Sequence, residues 1–361
     1  MKKLNPKKLK KSFPSIKLRR TKSVEERVSD AISTVPKITN ETVTEHREDV
    51  LSSARKYIYP LQHSKHHIVR ISVSIFITVI IAFIAICGLD LYKLQGTSGF
   101  IYAITKIFPV PVAKADGRWV SYESYLFELR RNMHYYQTLQ QANFSTISGK
   151  TQLNNLKKQA LNAAVEQTVV DGLAQDNNVS VTNSDINYQM NLVKSENRIG
   201  GSDQVFKQVL SQYWGWDESD FKRELKQQLL IQAVVSKLDT ATHTRANNAL
   251  NLLKHGTDFG TLASQVSDDA STKTSGGQYP NPITINDQQV PPIITQQLFM
   301  LDPNQISGIV NAGYTLEILK VIDKSGDQLH AAHIQFNFAS ISKFTNPVLK
   351  QHTYHVYITN R

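Results

Sequence analysis

The sequence predicts an α+β protein: a single N-terminal transmembrane helix, a mostly α-helical domain, and then a domain with a small antiparallel or mixed sheet flanked by helices. Three observations carry this prediction. Ile71–Leu89 runs 19 residues without a charge, 15 of them apolar. Helical periodicity then dominates to about residue 240. Strand-like runs at 315–323 and 329–336 follow, joined by the turn residues Lys324-Ser325-Gly326-Asp327.

At about 1.5 Å per residue the uncharged run spans roughly 28 Å, the hydrocarbon thickness of a bilayer. A buried core helix rarely runs so long without a polar face. A cleaved signal peptide fits poorly, because the preceding region is too long and Ala113-Lys114-Ala115 lies well past the apolar stretch. The reading is one uncleaved anchor over 68–92.

The net charge of +11 divides unevenly along the chain. Residues 1–70 hold 17 Lys+Arg against 7 Asp+Glu, and residues 71–361 hold 24 against 23. The basicity belongs to a tail. Arg55, Lys56, Lys65 and Arg70 precede the apolar run, whereas Asp90 opens its far side. The positive-inside rule therefore puts residues 1–67 in the cytoplasm and the C-terminal domains outside the cell membrane. The first 22 residues carry ten Lys+Arg and no acid, so they are expected to be largely disordered and drawn to anionic lipid. Few aromatic residues accompany these charges, and no nucleic acid is expected as a partner. The single cysteine, Cys87, excludes an internal disulfide framework, a cysteine-based zinc site and an iron–sulfur cluster. No cofactor or metal is expected.

Beyond the anchor, 93–111 is mixed and apolar, ends in two prolines, and reads as a juxtamembrane stalk. Two alternating runs flank Asp116-Gly117, a pair suited to a tight hairpin. A helix starts at Ser121, with Tyr125, Leu129 and Met133 along one stripe. A second, lined by Leu161, Val165, Val169 and Leu173, ends near Asp176-Asn177-Asn178. A third is capped within 181–186, and a fourth over 202–213 is broken by Gly215. Asp217-Glu218-Ser219-Asp220 places acids at the start of the last, whose buried face is Phe221, Leu225, Leu229 and Ala233. The domain so defined is 112–240. It holds no catalytic constellation.

The hairpin, the phrase Asn177–Ile186 and the closing phrase Trp216–Leu230 together resemble the N-terminal chaperone domain of SurA-like and PrsA-like extracytoplasmic foldases. That family usually carries a parvulin-type (PpiC-like) peptidyl-prolyl isomerase domain next, and 241–338 looks like one. Arg245–Phe259 resembles its first helix and turn, Leu262-Ala263 with Val266-Ser267-Asp268 its second helix, and Gly276-Gly277 its double glycine. Gln289-Val290-Pro291, Leu301–Ser307 and Ile318–Val321 are similar to its later phrases. Residues 339–361 are left as a C-terminal tail. The resemblance implies a foldase whose partners are unfolded or newly secreted polypeptides.

It also implies site residues. Family members surround a proline pocket with paired histidines, a cysteine or aspartate, a methionine and a phenylalanine. Residue by residue, the acidic position falls on Asp269 and the methionine on Gln289. The phenylalanine falls on Ile293 or Ile294, and Phe299 matches a further aromatic. The histidine before the last strand falls on Glu317, and the accompanying threonine on Ala312. The other histidine belongs to a strand before residue 245, where Asp239–Thr244 leaves no room for one. Leu329–Phe336 reads like that missing strand and carries His333. A sheet cannot omit a central strand without orphaning two rows of backbone groups, so the fold is expected to be circularly permuted, with a truncated second repeat as the rival reading. The expected constellation is His333, Asp269 and Glu317 as catalytic residues around Gln289, Ile293 and Phe299 as substrate-binding residues. A prolyl isomerase and a non-catalytic holdase that only grips extended chains both remain open at this stage.

Overall fold

The computed structural model describes residues 23–33, 38–58, 61–195, 202–351 and 355–358. The basic tail expected over the first 22 residues lies outside them. Contacts divide the chain into two units, 1–82 and 83–361.

In the first unit α1 (Val24–Ser33) and α2 (Asn40–Ile58) are polar helices, and α1 buries nothing. Helix α3 (Leu61–Leu89) begins here. The stretch His67–Leu94 is long and apolar enough to cross a membrane by length and composition. Over 68–86 its apolar side chains are exposed all round, Phe76 and Ile84 among them.

The second unit begins with the C-terminal end of α3 and a π-helical turn at Asp90–Leu94. Next comes α4 (Gly99–Ile107), whose first turn is capped by the Ser98 hydroxyl accepting from the Ile101 amide. The expected stalk is therefore folded. Leu91 and Ile101 are buried in a core with Tyr122, Tyr125, Leu126, Leu129, Leu161 and Val165, and the Tyr92 hydroxyl donates to the Pro111 carbonyl at 2.7 Å. An apolar stretch beside a core costs less folded into it than left in water.

Strands β1 (Pro111–Ala115) and β2 (Arg118–Ser121) form the hairpin. Asp116 and Gly117 both take positive φ, 49° and 74°, as a two-residue turn of this twist requires. Helices α5 (Tyr122–Leu139) and α6 (Ile147–Asp176) follow, capped by Ser121 and Thr146. Then come α7 (Asn183–Ser195), α8 (Asp203–Trp214) and α9 (Glu218–Leu238). Gly215 ends α8 in the left-handed region, and Asp217 and Asp220 cap α9 reciprocally.

A single residue, Asp239, separates α9 from α10 (Thr240–Lys254). The second module continues with α11 (Phe259–Val266), a 3-10 turn at Lys273–Ser275, β3 (Ile283–Thr284) and α12 (Pro292–Met300). It closes with β4 (Ile306–Asn311), β5 (Thr315–Ser325) and β6 (Gln328–Asn337). The four strands form an antiparallel sheet in the order β3-β6-β5-β4. The strand carrying His333 is thus interior to the sheet, between β3 and β5, although it comes last in the chain. Leu316, Ile318, Ile334 and Phe336 face α10 and α11. Leu319, Val321, Leu329 and Ala331 face α12.

The residues after β6 are not a loose tail. Helix α13 (Ser342–Gln351) packs on α6, with the Thr345 hydroxyl 3.2 Å from Glu166. Strand β7 (His355–Val356) pairs with β1, and Ile358 is buried in the core of the helical module. Chain that returns to the first module is not the start of a second repeat.

Candidate functional site

Three elements meet at His333. Strand β6 supplies the imidazole, and antiparallel pairing sets Leu319 directly opposite it. Glu317, two residues along β5, therefore shares its face on the diagonal. Asp269 comes from the loop after α11, tied to Gln335 of β6 where the Ser267 hydroxyl accepts from the Gln335 amide and the Asp268 amide donates to the Gln335 carbonyl.

His333 donates from Nδ1 to Glu317 at 2.9 Å and from Nε2 to Asp269 at 3.0 Å, sharing the latter proton with the Thr272 hydroxyl at 2.9 Å. Thr272 in turn donates to Asp269 at 2.6 Å. The same carboxylate accepts the Ser271 hydroxyl and amide at 2.7 and 3.0 Å, and Thr315 donates to Glu317 at 3.0 Å. His333 and Glu317 are each only 4% exposed. Buried charged groups persist when paired and hydrogen-bonded, and these are both.

Burial alone would lower the His333 pKa, but hydrogen bonds and attraction from Glu317, then Asp269, outweigh it and raise the value. Carboxylate oxygens at both ring nitrogens favour the imidazolium form. Burial opposes the charged form of Asp269 too, yet donors from Thr272, Ser271 and His333 hold its carboxyl far below the usual carboxylate range. Tyr279 stacks on the imidazole, ring centroids 4.4 Å apart and planes at 29°. Burial, then the Glu317 and Asp269 charges, push its phenol well up.

Above this network lies an open cavity of about 470 Å³. Asp269, Glu317 and His333 line it, with Tyr279, Ile283 and Val290 among its apolar walls. Gln289 also lines it, at an exposed position on the rim. Ile293 and Phe299 do not. Ile293, on the first turn of α12, faces a neighbouring groove of about 1170 Å³ that also touches Tyr188, Leu192 and Leu229 of the helical module. Phe299, near the end of the same helix, packs half-buried against the sheet core. Pro291 at the head of α12 turns the chain, so residues beyond it point along the helix rather than into the cavity.

Sequence reasoning missed Thr272 and Tyr279. Thr272 stands three residues after Asp269, the spacing at which a hydroxyl folds back onto a carboxylate in a tight turn, and that signal was readable. Tyr279 reaches the imidazole because its amide donates to Ala331 and the His333 amide donates to the Gly277 carbonyl, a pairing invisible along the chain. Among the described residues no group of three or more His, Cys, Asp and Glu is arranged to hold a metal ion.

The arrangement is an imidazolium clamped between two carboxylates beneath a partly apolar cavity. Both ring nitrogens are taken, so the imidazole has no proton left to offer a ligand. Of the groups in this network that line the cavity, Asp269 is the most open, its side chain 20% exposed against 5% for Glu317 and His333.

Residues 61–235 match the family of SurA-like N-terminal domains, and residues 229–323 match the PPIC-type PPIase domain. The second match stops before β6 begins. The chain is similar to a protein named foldase protein PrsA from Clostridium acetobutylicum, with 26% identity over 208 residues. That alignment covers 48% of this chain and 62% of the relative, so the chain spans less than two thirds of the relative's length.

Proposed function

The chain belongs to the SurA-like and PrsA-like foldases that carry a parvulin-type module, and from that membership we propose that it is a membrane-anchored extracytoplasmic foldase that isomerises prolyl bonds in, and chaperones, secreted or envelope proteins. The observation that carries the isomerase reading is the Asp269–His333–Glu317 network beneath an open cavity.

Rotation about an X–Pro bond is opposed by amide resonance, a barrier of about 18–20 kcal/mol. No bond is made or broken, so neither a nucleophile nor a proton carrier is needed. The site must favour the twisted amide over the planar one. The planar amide carries more negative charge on its oxygen than the twisted form does. The Asp269 carboxylate at the cavity edge repels that charge and so raises the planar state relative to the twisted one. Tyr279, Ile283 and Val290 supply apolar surface for the proline ring. His333 touches no substrate in this scheme; it fixes Asp269 and Glu317 in place.

The test is a protease-coupled isomerisation assay on the full chain in detergent micelles. The expected outcome is a clear acceleration over the uncatalysed rate that Asp269→Ala abolishes. A folded chain that leaves the background rate unchanged would refute the isomerase reading. The second reading, a non-catalytic holdase, is favoured by the polar Gln289 at the rim and by the absence of Ile293 and Phe299 from the cavity. It predicts that aggregation of an unfolded client is suppressed equally well by the Asp269→Ala variant.

A further inference from the structure

Helix α4 is apolar on two faces. Ile101 and Thr105 point inward and are buried. Outward, Phe100, Ala103, Ile104, Ile107 and the following Phe108 form a stripe at the i, i+3, i+4, i+7 spacing of one helix face. Phe100 is 63% exposed, Ile107 72% and Phe108 59%. Among the described residues of unit 83–361 none buries Phe100, Ala103, Ile107 or Phe108, all of which stay exposed.

Its position narrows what can. Only 95–98 separate Leu94, the end of the apolar helix, from Gly99, the start of α4. Even fully extended, that connection reaches no more than about 17 Å. It is not extended: the Gly96 amide donates back to the Asp90 carbonyl, and Gln95 turns the chain in the left-handed region. Nor is it loose. Lys157 donates to the Gln95 side chain at 2.8 Å, Arg130 donates to the Thr97 carbonyl, and Leu91 is buried in the core. Helix α4 is thus held beside the end of the apolar helix by the same core that holds the hairpin. Charge agrees with this placement. Residues 91–115 carry Lys93, Lys106 and Lys114 and no acid, and Lys93 and Lys106 are exposed.

We propose that the outward face of α4 lies in the headgroup region of the bilayer that the apolar helix spans, so that the folded unit is seated on the membrane surface and not suspended from a stalk. The inference rests on the anchor reading given above. Apolar side chains enter the acyl boundary, and the flanking lysines meet anionic headgroups, as in helices that lie in an interface. Seating fixes which side of the foldase unit faces away from the membrane toward emerging chains.

The test uses the full chain with Cys87→Ser, in nanodiscs of mixed zwitterionic and anionic lipid. Spin labels are placed singly through Ala103→Cys on α4, Ile80→Cys in the apolar helix and Ile147→Cys, a solvent control 89% exposed. Collisions with oxygen and with a water-soluble nickel chelate are compared. The label at position 103 should prefer oxygen and meet the chelate at least several-fold less than the label at 147. A label at 103 as open to nickel as the one at 147, while the label at 80 sits in lipid, overturns the inference alone. A label at 103 shielded from both reagents shows that protein covers the stripe, which also overturns it. A label at 80 open to nickel removes the anchor reading and this inference with it.

Discussion

Both ring nitrogens of His333 end on carboxylates, and that fact decides what its removal does. His333→Ala deletes more than a hydrogen bond, because Glu317 is left buried without its cation; breaking a buried pair this way costs about 3–5 kcal/mol. The cost should depend on pH. With its folded pKa raised, His333 contributes stability that is full below its unfolded value near about 6.5 and fades as pH rises through the folded value. Asp269, with its folded pKa depressed, contributes fully above its unfolded value near about 3.9 and loses that contribution at lower pH. The gap between wild type and His333→Ala should therefore be widest between about pH 4 and 6.5 and should narrow on the alkaline side. Urea titrations at several pH values would read it, and a gap constant from pH 5 to 9 would count against the imidazolium. A second residue invites the opposite change. The Tyr125 hydroxyl is buried in the helical core and finds no hydrogen-bond partner among the described residues, a cost of about 1–3 kcal/mol. Tyr125→Phe keeps the ring contact with Tyr122 and should raise the melting temperature; a loss of stability would show that the hydroxyl is satisfied after all. At this scale the meeting of Asp269, Glu317 and His333 was legible, because the first two stand at matched polar positions and His333 lies on the strand that reads like the missing one. Ile293 and Phe299 were not, since one extra residue after Pro291 blurs the register and α12 carries both away from the cavity.

Elements were legible where periodicity is local. The caps at Ser121, Ser202, Asp217 and Asp258 stand where helix-starting residues precede apolar stripes. The rearranged strand order was legible too, because the one-residue junction at Asp239 leaves no room for a strand before α10 while β6 carries a strand's alternation. What escaped was set by distant contacts. Strand β7 is two residues long, and only its pairing with β1 defines it. Helix α4 looked like a stalk because its partners lie in the hairpin and in α5. The double glycine has a physical reason at this scale. Gly277 sits at φ 81°, and a Cβ there would collide with the His333 carbonyl, so only glycine lets the 3-10 turn meet β6. The two modules should respond separately. Phe336→Ala, fully buried on β6, should cost about 3–5 kcal/mol and speed hydrogen exchange in β5 and α10. Removing residues 355–361 strips β7 and Ile358 from the first module, so exchange should quicken in β1 and β2 while β5 and β6 stay protected. Equal loosening of both modules would show that they unfold as one.

At the scale of the whole molecule, two modules share the unit 83–361, and a groove between them touches the rim of the cavity through Gln289, Pro291 and Ala312. Composition located the basic tail and the neutral body without any fold, because charge sums need no contacts. Orientation follows from those sums and is the easiest large-scale claim to defeat. Cytoplasmic retention of Lys and Arg near a span predicts the N-terminal side inside and the unit 83–361 outside. Because the folded unit would resist added protease, cysteine labelling is the cleaner probe. With Cys87→Ser, Ser23→Cys reports the tail side and Ile147→Cys the folded side, and both positions are exposed. A membrane-impermeant maleimide added to intact cells should label position 147 fully and position 23 only after lysis. The reverse pattern would put the unit 83–361 in the cytoplasm and defeat the orientation. Labelling of both positions in intact cells, or release of the chain by high salt alone, would mean that the apolar helix does not span.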